Sequence, residues 1–314
     1  MPLHPFRFGI INEYMTPRAA WLDGVRRTEA QGFATFLLRD HLVQEPFGDQ
    51  YAPFVALMAA AMISETLRVG TMVAANDFRH PAILAKEIAT LHELSGGRVE
   101  LGLGAGWLRA EYEAIGMPFA ANGTRIARLA EAVQVLKGLW TGEPLDFAGE
   151  YYQVHGLQST PRPATPPRLL LGGGHQKMLT LAGREADSIG ILTSSVATGV
   201  LTQQVASCLP AAVQQQIGWI RAGAGARFDQ IELSMIPTLI ITDARRAATE
   251  AWLAARGWSG VPAENVWQMP AVLIGSVAQL AEDLRARRDI FGISYYVFSD
   301  TQRDDAAALV RALV

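Results

Sequence analysis

Gly96-Gly97-Arg98-Val99-Glu100-Leu101-Gly102-Leu103-Gly104-Ala105-Gly106-Trp107 reads as a turn, a short strand and a loop of nearly bare backbone. Gly96-Gly97 resets the chain direction, and Val99 to Leu103 has strand character. Glycines at 102, 104 and 106 then remove side chains at alternate positions. A strand interior loses packing area with each glycine, so three of them require close approach by something else. A neighbouring backbone in a tight strand-to-helix crossover and a flat ligand lying across the strand end both satisfy that requirement.

The sequence around this stretch repeats one theme. Phe6 to Ile11 is a short apolar run, followed by Thr16-Pro17, a cap residue and a proline that open a helix reaching Gln31. Strand-like Phe33 to Leu38, helical Phe54 to Ser64, strand-like Leu67 to Val73 and helical Ile83 to Leu94 lead into the glycine stretch. Past it, Arg125 to Trp140 carries apolar residues at spacings of three and four, the mark of an amphipathic helix.

Leu145 to Val154 departs as a small antiparallel excursion, and Pro161 to Pro167 forms a proline-rich tether. Strands at Arg168 to Leu171, Asp187 to Leu192 and Ile231 to Ile241 then alternate with helices at His175 to Glu185, Leu201 to Arg221 and Arg245 to Arg256. Trp258 to Met269 is an irregular aromatic insertion. Ser276 caps a helix from Val277 to Arg288, and Ile293 to Phe298 is the last strand before a helix over Asp304 to Val314.

Strands alternating with helices predict a parallel sheet covered by helices, and strands apolar over most of their length predict burial on both faces. The count is eight, which predicts an α/β fold of the closed (β/α)8 TIM-barrel type. It forms one domain over residues 1–314 with insertions around 142–167 and 257–272.

Composition narrows the function. Half of the 314 residues are apolar, enough for a large core, yet no uninterrupted apolar run is long enough for a membrane span. The chain opens directly on strand-like sequence without a signal-peptide stretch, so a cytoplasmic protein is expected. Cys208 is the single cysteine, and the six histidines lack metal-ligand spacing, so disulfides and a metal centre are not expected. A net charge of −3 with dispersed Lys and Arg offers no stripe for nucleic acid. The expected partner is a small molecule.

In such barrels the active site lies at the C-terminal ends of the strands. Four of those ends carry chemistry: Asp40-His41, Ala74-Ala75-Asn76-Asp77, Gly104-Ala105-Gly106-Trp107 and Gly172-Gly173-Gly174-His175. The last reads as a glycine turn before a helix N-terminus, where bare N–H groups and the helix dipole favour an anion such as phosphate. The Gly-x-Gly-x-Gly at 102–106 is not the Gly-x-Gly-x-x-Gly dinucleotide fingerprint, and no helix follows at once, which argues against a nicotinamide Rossmann site. His41 is the leading titratable candidate, able to give or take a proton beside a hydride-transfer centre, though a strand-end histidine also serves structural roles. Asp40 should point away from it, because strand neighbours alternate sides. His80 reads as a loop stabiliser, His175 as a lining residue, and Trp107 and Phe78 as flat apolar walls.

Taken together, Asp40-His41-Leu42, the Asn76 to Pro81 loop, Gly97 to Trp107, Glu111-Tyr112, Arg125, Glu131, Leu171 to Gly174, Ala186-Asp187 and Ile274-Gly275-Ser276 resemble the bacterial luciferase-like flavin-dependent superfamily. The match runs in order over nearly the whole chain. The Asp-His pair and the glycine-rich strand are most similar to the branch that uses the deazaflavin coenzyme F420; the other large branch uses FMN. The resemblance implies a barrel that encloses the cofactor ring at its rim, a non-proline cis peptide near Met72-Val73, and a homodimer. It places cofactor contacts at Asp40, His41, Met72, Val73, Asn76, Gly104, Ala105, Gly106, Trp107 and His175, and the cofactor phosphate at Gly172, Gly173 and Gly174. His41 is the implied catalytic residue.

The sugar-phosphate dehydrogenases of the deazaflavin branch carry a glutamate where this chain has Trp107, and a tryptophan near Glu45. Both are absent here, so the expected substrate is uncharged or aromatic rather than glucose 6-phosphate. Two further readings stand beside an F420-dependent oxidoreductase. One is an FMN-dependent monooxygenase fed by a separate flavin reductase, and the other is a catalytically silent flavin-binding barrel.

Overall fold

The computed structural model describes residues 3–194, 196, 202–258 and 260–314. The chain begins with β1 (Arg7–Asn12), α1 (Arg18–Ala30), β2 (Thr35–Leu38), α2 (Pro53–Ile63), β3 (Arg68–Thr71) and β4 (Ala74–Ala75). It continues through α3 (Pro81–Leu94), β5 (Val99–Gly104), α4 (Arg109–Ala114), α5 (Asn122–Trp140), β6 (Leu145–Ala148), β7 (Gln153–Leu157) and β8 (Arg168–Gly173). Next come α6 (Gln176–Glu185), β9 (Ser188–Ile191), α7 (Val205–Cys208), α8 (Pro210–Ala224), β10 (Glu232–Met235) and β11 (Thr238–Ile241). The chain closes with α9 (Arg245–Ala255), α10 (Ala263–Gln268), β12 (Val272–Gly275), α11 (Val277–Phe291), β13 (Ile293–Ser299) and α12 (Arg303–Leu313).

The main sheet has the order β3-β2-β1-β13-β10-β9-β8-β5-β4, and β3 also pairs with β5, so the sheet closes on itself. β3 and β4 are two halves of one interrupted strand, which makes an eight-stave parallel barrel. The interruption is a one-residue slip. Gly70 pairs with Glu100, but Ala74 pairs with Leu103, so Met72-Val73 bulge from the ladder and are joined by the expected cis peptide.

Bare backbone makes this geometry possible. A Cβ on Gly70 would overlap the Glu100 carbonyl oxygen, and one on Gly102 would overlap the Thr71 carbonyl oxygen. β2 and β5 are buried at every position, as strands covered on both faces must be. A small cluster of Ile11, Leu37, Met72, Leu170, Tyr295 and Val297 fills the barrel interior, while the larger core lies between barrel and helices.

Several expectations are revised. The apolar run Ile231 to Ile241 is two strands: β10 stays in the barrel, and β11 leaves to pair with β12 in a separate sheet. Pro237, which has no N–H to give a ladder, sits at the break. The 257–272 insertion is more ordered than its composition suggests, since it contains α10 and the start of β12. The Gly172–Gly174 turn begins later than expected, because Gly172 and Gly173 pair in register with Gly190 and Ile191 as part of β8. The helix expected from Leu201 is α7 and α8, and Leu201 itself lies outside the described residues. The loop after Trp107 contains the short helix α4. The 142–167 insertion does form the expected antiparallel pair, β6 with β7.

Among the described residues no helix is long and apolar enough to cross a membrane. Nor does any group of three His, Cys, Asp or Glu side chains among them stand where it could hold a metal ion.

The end of the barrel away from the mouth is tied by charge. Arg7, on β1, meets Glu100 of β5 at 2.7 Å and Glu232 of β10 at 2.6 Å. Glu100 has no exposure, so removing Arg7 leaves this buried carboxylate and Glu232 with only the half-exposed Arg168, at 3.7 and 3.3 Å. Arg7→Ala should cost about 3–5 kcal/mol in urea unfolding. Arg27→Ala, which breaks the exposed pair with Asp304, should cost no more than about 1 kcal/mol in the same assay.

Candidate active site

The C-terminal strand ends open on one cavity of about 710 Å³, within the range of small-molecule sites. β2 delivers Asp40 and His41 to it, the bulge delivers Met72 and Val73, and β5 delivers Gly104, Ala105, Gly106 and Trp107. β8 delivers Gly172, Gly173, Gly174 and His175. Asn76 does not line the cavity. It is 1% exposed and donates to the Tyr152 hydroxyl at 3.1 Å, pinning the hairpin insertion to the barrel.

Asp40 lines the wall, but protein groups engage its carboxylate. Arg79 donates to both oxygens, at 2.6 and 3.2 Å, and the Ala75 N–H donates at 3.1 Å. It therefore ties the end of β2 to the loop behind the bulge. His41 points elsewhere, as strand alternation predicts. Its Nδ1 lies 3.1 Å from each oxygen of Glu111, a carboxylate only 2% exposed. The Leu42 N–H donates to the same carboxylate at 2.5 Å.

His41 also forms a corner of an aromatic cluster. Its ring lies 5.1 Å from Phe47 and 5.9 Å, edge-on, from Trp107. Arg39, paired with Glu13 at 2.6 Å, stacks over Phe47 at 4.0 Å. This corner of the cavity is therefore flat and largely apolar.

The glycines of the opening stretch have separate jobs. Gly102 is bare so that β5 can meet β3. A Cβ on Gly104 would come within 2.7 Å of Val73 Cγ2, so the bulge itself demands that glycine. Gly106 has φ +74°, and a Cβ there would overlap the Tyr112 hydroxyl. Tyr112 is fully buried and donates to Asp77 at 3.2 Å; burial, then the Asp77 charge, push its phenol upward, so it stays a neutral donor. Beneath the loop Arg125 donates to the Gly106 carbonyl at 3.2 Å and to Ala120 O, with its guanidinium over the Phe119 ring. Close packing explains these glycines, and Gly104 and Gly106 also present bare backbone to the cavity.

At β8 the geometry is similar. A Cβ on Gly173 would lie 2.6 Å from Met178 Cγ, and one on Gly174 would lie 2.6 Å from the Leu192 carbonyl. The following helix, α6, has His175 at its N-cap without a side-chain cap bond, so its first N–H groups are unclaimed by that residue. His80 acts locally: its ring accepts the Ala82 N–H at the start of α3. Phe78 lines the cavity and packs on Tyr112 at 5.5 Å.

Sequence reasoning did not anticipate Glu111, Phe47 or the cavity's far wall as parts of the site. That wall comes from the β11–β12 excursion, with Trp252, Arg256 and Trp258 lining it. The Arg256 guanidinium lies 4.5 Å from the Trp252 ring and donates to Gln203 at 3.0 Å. One signal for Glu111 was present: Glu111-Tyr112 is among the residues that carry the family resemblance.

The family model for luciferase-like monooxygenases matches residues 3–290. The chain belongs to this luciferase-like family. Among its curated relatives is an F420-dependent glucose-6-phosphate dehydrogenase of Nakamurella multipartita, 33% identical over 72% of this chain and 66% of the relative. Another, from Intrasporangium calvum, bears the same name and is 35% identical over 53% of this chain and 51% of the relative. The chain thus spans between half and two thirds of these relatives. Solved structures share the luciferase-like fold across 99% of the chain. An F420-dependent secondary alcohol dehydrogenase has a TM-score of 0.76 at 16% identity over 98% of its own length. The F420-dependent tetrahydromethanopterin reductase of Methanopyrus kandleri has 0.75 at 19% identity over 99% of its length.

The two glycines with positive φ at 106 and 116 separate backbone from packing effects. Gly116→Ala meets nothing within 4 Å and should cost only the left-handed backbone penalty of about 1–2 kcal/mol. Gly106→Ala should cost more and should shift the Trp107 fluorescence, because Tyr112 must move. Thermal unfolding and emission spectra of the two variants check this.

Proposed function

We propose that this protein is an F420-dependent oxidoreductase that transfers hydride to or from a small, uncharged or aromatic organic substrate. The observation that carries the reading is the cavity in which His41 stands beside the glycine-bared ends of β5 and β8. The residues fit a flat ring. Gly172 and Gly190 face each other without side chains, the Met72-Val73 bulge lies nearby, and Gly104 leaves the β5 end bare. The relatives named for F420 support this cofactor over FMN.

When bound, the deazaflavin would supply ring carbon C5 as the hydride donor or acceptor. Met72, Val73 and the Gly104–Trp107 loop would bear on the ring. The Gly172–Gly174 segment and the uncapped start of α6 would take the phosphate. Asp40 would act by holding the loop that carries Ala75. His41 exchanges the proton that accompanies hydride transfer, through the ring nitrogen not facing Glu111. Trp107 and Phe47 keep that corner apolar and exclude a sugar phosphate.

Binding of F420 and of reduced FMN, followed separately by fluorescence, tests the cofactor. Tighter F420 binding is expected, together with turnover of short secondary alcohols or enones and none of glucose 6-phosphate. Preferential FMN binding with oxygen consumption would instead make the protein a monooxygenase, and binding of neither would make it a silent barrel. His41→Ala should lower turnover by about 10²–10⁴-fold while cofactor affinity stays within a few-fold.

We further propose a homodimer that covers the adjacent helices α2 and α3. No charged residue occurs from Pro53 to Ile63, and Val55, Met62, Ile83 and Leu94 are 76, 67, 58 and 60% exposed. Light scattering should give a dimer mass for the native chain and a monomer mass for Val55→Arg/Met62→Arg. A native monomer at micromolar concentration refutes the interface.

A further inference from the structure

We propose that Glu111 is a positioning residue that fixes His41 as the Nδ1–H tautomer, so that Nε2 meets the cavity as a proton acceptor. The inference deepens the reading of His41 given above and rests on it for its consequence, though not for its test.

The argument is one of donors and acceptors. An ionised carboxylate can only accept. The Leu42 N–H, which can only donate, takes one Glu111 oxygen at 2.5 Å. His41 Nδ1 lies 3.1 Å from both oxygens. A lone pair on Nδ1 facing that carboxylate would be repelled by it, so Nδ1 carries the proton. The proton leaves Nε2 as the basic nitrogen of the neutral ring. Nε2 has no hydrogen-bond partner among the described residues, and His41 lines the cavity.

The carboxylate is itself held. Glu111 stands on α4, whose next residue, Tyr112, is fixed by Asp77 and by Phe119 at 5.0 Å. Arg128 in turn pairs with Asp77 at 2.9 Å. The charged and titratable groups facing the pair from its neighbours are therefore already matched. Arg39 is paired with Glu13, and Asp40 with Arg79.

With the deazaflavin bound as hydride acceptor, oxidation of a carbinol would place the hydroxyl proton on Nε2 as the C=O forms. The imidazolium that results is matched by Glu111. In the opposite direction the same nitrogen returns the proton.

Glu111→Gln makes a distinct prediction. A glutamine has one acceptor oxygen, which the Leu42 N–H claims, and its NH₂ then faces Nδ1 as a donor. The His41 proton must move to Nε2. Nitrogen-15 NMR of the full chain with labelled histidine, without added ligand, reads the tautomer directly. His41→Gln identifies the His41 signals among the six histidines. The native protein should show a protonated Nδ1 and a bare Nε2, and Glu111→Gln should exchange the two.

A native protein with the proton on Nε2 overturns the proposal, as does a Glu111→Gln spectrum with unchanged tautomer. The native spectrum alone decides the first point if the variant does not fold. Failure to bind F420 leaves this result untouched and falls on the cofactor reading alone.

Discussion

Everything at the mouth of this barrel depends on how closely the backbone of β5 approaches that of β3 and β4. Gly70 against the Glu100 carbonyl and Gly102 against the Thr71 carbonyl leave no room for even one methyl group. With the staves this close, the extra residue between β3 and β4 is forced out of the ladder. It appears as the Met72-Val73 bulge, and Val73 in turn requires Gly104 to be bare. The floor of the cavity is thus a consequence of strand packing. A surface free of side chains is also what a flat ligand needs, so one constraint serves both ends.

Charge finishes what packing begins, differently at the two ends. At the closed end Arg7 draws three staves together through Glu100 and Glu232. At the mouth the charged groups are matched across elements distant in sequence. Asp40 takes Arg79, Arg39 takes Glu13, and Arg125 is spent on backbone carbonyls under the glycine loop. Among these fixtures His41 lines the cavity with its Nδ1 committed to Glu111. A proton-transfer group, the role proposed for His41, must be held within hydrogen-bond reach of its target, and Glu111 would hold it there.

The architecture was legible because the hydrophobic runs and their punctuation repeat, and the strand ends could be sorted by the rule that barrels work at one face. The β10–β11 break was masked by apolar residues on both sides of Ile236-Pro237; proline was the clue to weigh more heavily. β12 read as the lead-in to a cap because Ser276 follows it directly. The glycines that line the cavity were legible in the sequence, although their first duty is steric. Glu111 was not legible as His41's partner, because pairing across 70 residues follows from barrel closure and not from local spacing. Asn76 was misplaced for a related reason: its direction is set by the hairpin insertion and Tyr152, which no strand pattern specifies.

The β11–β12 excursion divides the cavity's walls between two independent supports. Trp252 and Trp258 pack on a satellite core of Cys208, Leu253, Val266, Met269, Val272 and Ile274, whereas His41 and the bare floor rest on the barrel. The tryptophan wall thus packs on a core that shares no residue with the one inside the barrel. Under the proposed function, such a division would let the substrate-facing wall vary separately from the His41 corner.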